Sequence, residues 1–228
     1  MPTKPLGDPV STHIVPTDGV PSSVRHALIV ADAIHGVGAE TVTIPLEMVD
    51  RLPHQAIYVN SDIPSELAIL VIPHAPAPLL ATTHEIGHFL DHQALGVPGQ
   101  FASTSSELLA EWRSAVEATT GVATLRQELV KAIVGLPGAM KDPGLFSALL
   151  RLRDFLTYTL ADGELFARSY AQFVFSQSDD LVARAALGRE LARLRAQPLY
   201  LPTQWEPADF VPVAQAFARL LAKKGLME

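Results

Sequence analysis

Three short runs rich in β-branched residues, TVTIPL (41–46), QAIYVN (55–60) and LAILVIP (67–73), stand close together, each bounded by Pro, Asp, Asn or Ser. They constrain the fold more than any other feature. Read as strands, they are spaced too closely for a helix between each pair, so a βαβ repeat is not expected. After Pro76 and Pro78 the apolar spacing becomes helical and stays so. A sheet first and helices afterwards predict an α+β fold, with a small mixed β-sheet in the N-terminal half and a mostly helical C-terminal half.

Val24, Ala27, Leu28, Ala31 and Ile34 repeat at helical spacing between Ser22/Ser23 and Gly36. A long helix is expected to run through about Leu95 and end at Gly96. Leu108, Trp112, Ala115 and Val116 form another apolar stripe. GLPGAMKDPG (135–144) reads as a break, and helices are expected near 144–158, 163–176, 178–196 and 207–223. The third of these has Asp179 and Asp180 in its first turn and Arg193 and Arg195 in its last, which suits the helix dipole. Residues 1–21 are Pro-rich and polar and read as an arm, mobile or lying on the surface. Residues 22–228 read as a single domain, with the sheet and a histidine-bearing helix in 22–96 and a helical part in 97–228.

Hydrophobic residues make up 48% of the 228 and charged residues 18%, enough for a sizeable core. The net charge is −7 and the basic residues are scattered, which argues against a nucleic-acid binder. The N-terminus has no apolar h-region, and no run of 18 apolar residues exists. Neither a signal peptide nor a membrane span is expected. There is no cysteine, so a metal would have to be held by His, Asp or Glu.

ATTHEIGHFLDH (81–92) sits in the long helix. Residues four apart lie above one another on a helix, so His84 and His88 can present imidazoles to one ion. Glu85 points about 100° away from His84. It would miss the metal but could reach a metal-bound water, which is the division of labour in HExxH zinc hydrolases. A surface helix also carries His and Glu freely, and the motif by itself is compatible with that. His92 stands about 12 Å along the axis from His84, too far to share the ion, and reads as a surface or supporting residue. Asp91 faces nearly the same side as His88. It could orient a ligand imidazole or make a solvated contact. A third ligand should come from another helix, and the candidate is Glu164 in GELFARSYAQFV (163–174). There Phe166, Tyr170 and Phe173 mark a buried side. By position alone, a first-turn carboxylate is explained by the helix dipole.

HEIGHFLDH followed by ELFARSYAQF resembles the zincin metallopeptidases of the gluzincin type. It is similar to the catalytic domain of anthrax lethal factor and to metallopeptidase-like domains associated with head-morphogenesis proteins of Mu-type phages. QWEPADFVPVAQAFARLL (204–221) resembles the C-terminal helix of the latter, more loosely. The resemblance implies a zincin-like fold and one Zn2+ per chain on His84, His88 and Glu164. It also implies Glu85 as general base and a peptide or protein substrate. A tyrosine shortly before the third ligand stabilises the oxyanion in the lethal factor-like enzymes. Tyr158 is the residue here that would do so, although it could equally be core. An edge strand ahead of the active-site helix pairs with substrate in such folds, and QAIYVN or LAILVIP would take that part.

Three functions compete at this level. One is a zinc metalloendopeptidase. The second is a phage- or prophage-derived virion or interaction protein that keeps the fold without proteolysis and has phage structural proteins as partners. The third is a toxin-like effector. An intact Glu85 favours catalysis, since a purely structural metal needs no base. A cytoplasmic or virion-associated setting is expected. The other histidines, His13 in the arm, His26 and His35 in the first helix, and His54 and His74 beside strands, carry little weight.

Overall fold

A computed structural model describes residues 4–72 and 74–228. The start of the expected arm and Pro73, the last residue of LAILVIP, lie outside the described residues. In chain order the elements are β1 (Asp8–Pro9), α1 (Val10–His13), β2 (Ile14–Pro16), α2 (Ser22–Asp32), β3 (Gly36–Val37), β4 (Ile44–Met48), β5 (Ala56–Val59) and β6 (Ala68–Val71). Then come α3 (Pro78–Phe89), a π-helical turn (Leu90–Ala94), α4 (Ala102–Ser105), α5 (Ala110–Glu117) and α6 (Thr120–Ala139). The chain ends with α7 (Pro143–Thr159), α8 (Asp162–Gln177), α9 (Leu181–Arg195) and α10 (Pro207–Lys223). The class is α+β with small sheets.

The main sheet has the order β2-β4-β6-β5, with β2, β4 and β6 parallel and β5 antiparallel to β6. β5, inside QAIYVN, is therefore an edge, and β6, inside LAILVIP, is interior. Ile72 N–H donates to Gln55 C=O at 3.1 Å. By the alternation of an antiparallel pair, Gln55, Ile57 and Val59 turn their backbone groups to β6, while Ala56 and Tyr58 turn theirs to the free edge.

The arm reading is corrected. Ile14–Pro16 forms the opposite edge of the sheet, and Val10 and Ile14 are fully buried. Val10, Ile14 and Val20 are the apolar residues that the Pro-rich composition hid. Because β2 exists, α2 is the crossover of a parallel β2–α2–β4 unit, contrary to the expectation from the close spacing of the downstream strands. His13 is likewise buried, with Nδ1 2.7 Å from Thr41 O. The segment is tied to the far end of the chain as well, since Leu6 N–H and Gly36 N–H both donate to Leu226 C=O at 3.0 Å.

The break at 135–144 is shorter than the sequence suggests. α6 continues through Gly135 and Pro137 to Ala139, and the turn is only Met140–Asp142. A proline costs a helix the hydrogen bond to the carbonyl four residues back. Here that carbonyl belongs to Ile133, an exposed residue. Gly135 is held close to Leu149 of α7, so packing between the two helices keeps the last turn of α6 formed. Asp142 then caps α7, accepting from Leu145 N–H at 3.0 Å, with Pro143 at the first helical position.

The core joins the sheet, α2, α3, α5, α8 and α10, with Phe89, Trp112, Phe166, Tyr170, Phe173 and Phe217 among its largest members. α3 packs on β5, β6, α2 and α8. The crossing of α3 with α8 is close because Gly87 has no side chain. A Cβ there would stand 2.8 Å from Ala167 Cα and 3.0 Å from the Tyr170 ring.

Candidate metal centre

That close crossing brings Glu164, in the first turn of α8, against His84 and His88 of α3. Pro78 starts α3, which then holds regular helix through both histidines. His88 Nε2 lies 3.1 Å from His84 Nε2, and the Glu164 oxygens lie 3.3 Å from His84 Nε2 and 3.2 Å from His88 Nε2. Ligands about 2.0–2.1 Å from a tetrahedral ion stand about 3.3–3.4 Å apart along each edge. The three atoms are thus spaced as one face of such a tetrahedron. These residues could hold a metal ion. Two imidazoles and a carboxylate, with no thiolate, suit zinc and several other divalent ions.

The electrostatics agree with the geometry. Burial pushes the Glu164 carboxyl up, but hydrogen bonds from His84 and His88 outweigh it and hold the group well below the usual carboxylate range. Burial pulls His88 down, and the hydrogen bond to Glu164 with the charges of Glu85, Glu164 and Asp91 more than restores it, so it ends raised.

Glu85 is buried next to this cluster without belonging to it. Its Oε2 accepts the Tyr58 backbone N–H of the edge strand at 2.7 Å. One carboxylate oxygen is anchored and the other is left for a partner in the cleft. Tyr58 is itself fixed, since its hydroxyl lies 2.8 Å from His92 Nδ1, which Gln93 Nε2 also approaches at 2.9 Å. His92, buried and outside the cluster, therefore supports the strand that holds Glu85.

Asp91 departs from its expected partner. The backbone through Phe89 and Leu90 is still α-helical, and the π-helical turn closes beyond Asp91, between Leu95 N–H and Leu90 C=O. The carboxylate of Asp91 accepts from Ser103 N–H at 2.7 Å and from Ser103 Oγ at 2.6 Å. It is fully buried and still close enough to His88 to feel its charge. Burial pushes its carboxyl up to about 6 against the Ser103 bonds.

Tyr158 stands near the end of α7 and is half exposed, so it is no core residue. Burial raises its hydroxyl above the usual tyrosine range, and the nearby Glu164 and Glu85 carboxylates add to the rise. Its ring stacks on His54 at 5.9 Å, nearly parallel, so a histidine read as unimportant meets it across the opening. Both line a cleft of about 1390 Å³ that also contains His84, Glu85, His88, Glu164, Arg168 and Gln204. The edge-strand anchor of Glu85 and the buried Arg168 had no separate signal in the sequence. Only the four-residue step from Glu164 to Arg168 hinted that they share a face.

Comparison of the chain with protein-family models, curated proteins and solved structures finds no match. The site therefore rests on its own geometry. No helix among the described residues is long and apolar enough to cross a membrane.

Proposed function

We propose that this chain is a zinc-dependent hydrolase of the gluzincin-type zincin kind, a metalloendopeptidase acting on peptide or protein substrates. The observation that carries the reading is the convergence of His84, His88 and Glu164 at 3.1–3.3 Å with Glu85 beside them in an open cleft. When bound, zinc would acidify a water and polarise the scissile carbonyl. Glu85, held by Tyr58 N–H, takes the proton from the water as its oxygen joins the carbonyl carbon. It then passes that proton to the departing amine nitrogen as the C–N bond breaks. The Tyr158 hydroxyl, which lines the same cleft as Glu164, supplies a hydrogen bond to the oxygen on which negative charge develops.

The free edge of β5 would take an extended peptide as a further strand. Tyr58 N–H is already given to Glu85, which leaves Tyr58 C=O and the Ala56 backbone for that pairing. A peptide library incubated with zinc-loaded protein tests the proposal. Cleavage by the wild type should fall by at least about 10²–10⁴-fold in Glu85→Gln, with bound zinc retained. No cleavage by zinc-loaded wild type, or equal cleavage by Glu85→Gln, would contradict it.

A further inference from the structure

Arg168 lies one turn beyond Glu164 on α8 and is only 6% exposed. Burying a guanidinium is expensive unless its donors are met. Here three of its five N–H donors are directed at backbone carbonyls, and none at a carboxylate. Nε donates to Glu164 C=O at 3.1 Å, one terminal nitrogen to Thr203 C=O at 3.2 Å, and the other to Thr159 C=O. Thr159 closes α7 directly after Tyr158, and Glu164 is the carboxylate member of the metal cluster. One planar group therefore bridges the segment that carries the tyrosine, the segment that carries the carboxylate, and a third stretch of chain.

That third stretch is itself held rigidly. Gln172, a further turn along α8, donates to Trp205 C=O at 2.7 Å and accepts Trp205 N–H at 2.8 Å. The Trp205 ring carries the Arg168 guanidinium 5.9 Å from its centre. Glu164, Arg168 and Gln172 thus form one polar stripe at four-residue steps on a helix otherwise buried among apolar residues. Two of its three members grip residues 203–205, and Arg168 also reaches back to α7. An apolar side chain would fill the same space at less cost, so packing does not account for the choice of arginine.

We infer that Arg168 is a positioning residue of the metal centre: it fixes the end of α7, and with it Tyr158, relative to Glu164. The inference rests on the metal-centre reading of His84, His88 and Glu164. Arginine suits the task because its fork presents donors in fixed directions to several acceptors at once. Lysine has a single nitrogen on a flexible stem and cannot span the three carbonyls. The guanidinium lines the cleft beside Tyr158 as well, so its positive charge favours the negative charge that develops on the substrate oxygen.

Zinc affinity of the full chain, measured by competition with a chromogenic chelator, and the visible spectrum of the Co2+-substituted protein test the inference. The variants are Arg168→Met and Arg168→Lys. Leu46→Ala, a core truncation in β4, serves as a control for general loss of stability. Both Arg168 variants should lose about 10- to 100-fold in zinc affinity, the range found when a group supporting a metal ligand is removed, and should show an altered cobalt spectrum. Lysine should not rescue either property. Leu46→Ala should lower the melting temperature while keeping the affinity and spectrum of the wild type. An unchanged affinity and spectrum in a folded Arg168 variant would overturn the inference, as would losses in Leu46→Ala equal to those in the Arg168 variants. If the methionine chain does not fold, the lysine chain decides alone. Absence of zinc binding in the wild type would instead overturn the metal-centre reading, and this inference with it.

Discussion

His35 and Tyr170 form a buried polar pair at the heart of the core. The Tyr170 hydroxyl donates to His35 Nε2 at 2.8 Å, and His35 Nδ1 donates to Gly36 C=O at 2.8 Å. That tautomer leaves every polar atom of the pair satisfied. Tyr170→Phe would strand a buried imidazole nitrogen and should cost about 1–3 kcal/mol, read from denaturant unfolding. Burial holds His35 below its ordinary value of 6.5, against smaller upward effects from Gly36 and Asp32. As pH falls below that value the unfolded chain binds a proton that the fold refuses. Stability is therefore full above about 6.5 and declines from there towards the lower folded value, a loss that His35→Gln should reduce. At the same scale, Glu85, His84 and His88 were legible in the sequence because the motif encodes their spacing. Tyr58 was not, because it acts on Glu85 through its backbone N–H, which every residue except proline has.

Among elements, the crossing of α3 and α8 matters most. Gly87 allows it, and Gly87→Ala would force the two backbones apart at the level of His84, His88 and Glu164. Overpacking of this kind costs about 1–3 kcal/mol. The expected outcome is a lower melting temperature together with weaker metal binding, measured by thermal scans and by metal titration. α6 depends on α10 for its start, since Asp209 accepts Thr120 N–H at 3.0 Å and Gly121 N–H at 2.9 Å. Asp209→Ala should cost about 0.5–2 kcal/mol by loss of that cap. The helices that bear the cluster could be read from periodicity and end signals. β2 could not, because three residues among prolines carry no period, and only pairing with β4 makes them a strand. The π-turn after Phe89 was equally hidden, as was the partner of Asp91, because Ser103 reaches it from a separate helix twelve residues on.

For the whole molecule, the sheet, α3 and α8 form one frame, and the cleft opens between the edge strand, the end of α7 and one face of α9. A metal bound by the folded chain and not by the unfolded one adds to stability by mass action. At zinc a hundredfold above its dissociation constant the gain is about 2.7 kcal/mol. For a chain of this length that corresponds to a rise of about 5–11 °C in melting temperature, reversed by a chelator. The sequence located the two halves of the centre on separate helices. Their meeting at 3.1–3.3 Å depends on a tertiary crossing that no local pattern encodes. Elemental analysis of zinc per chain, on wild type and Glu164→Ala side by side, tests this most directly. Close to one zinc in the wild type and a sharp reduction in the variant is the expected result. No zinc in the wild type after reconstitution, or equal zinc in both proteins, would contradict a centre built from His84, His88 and Glu164.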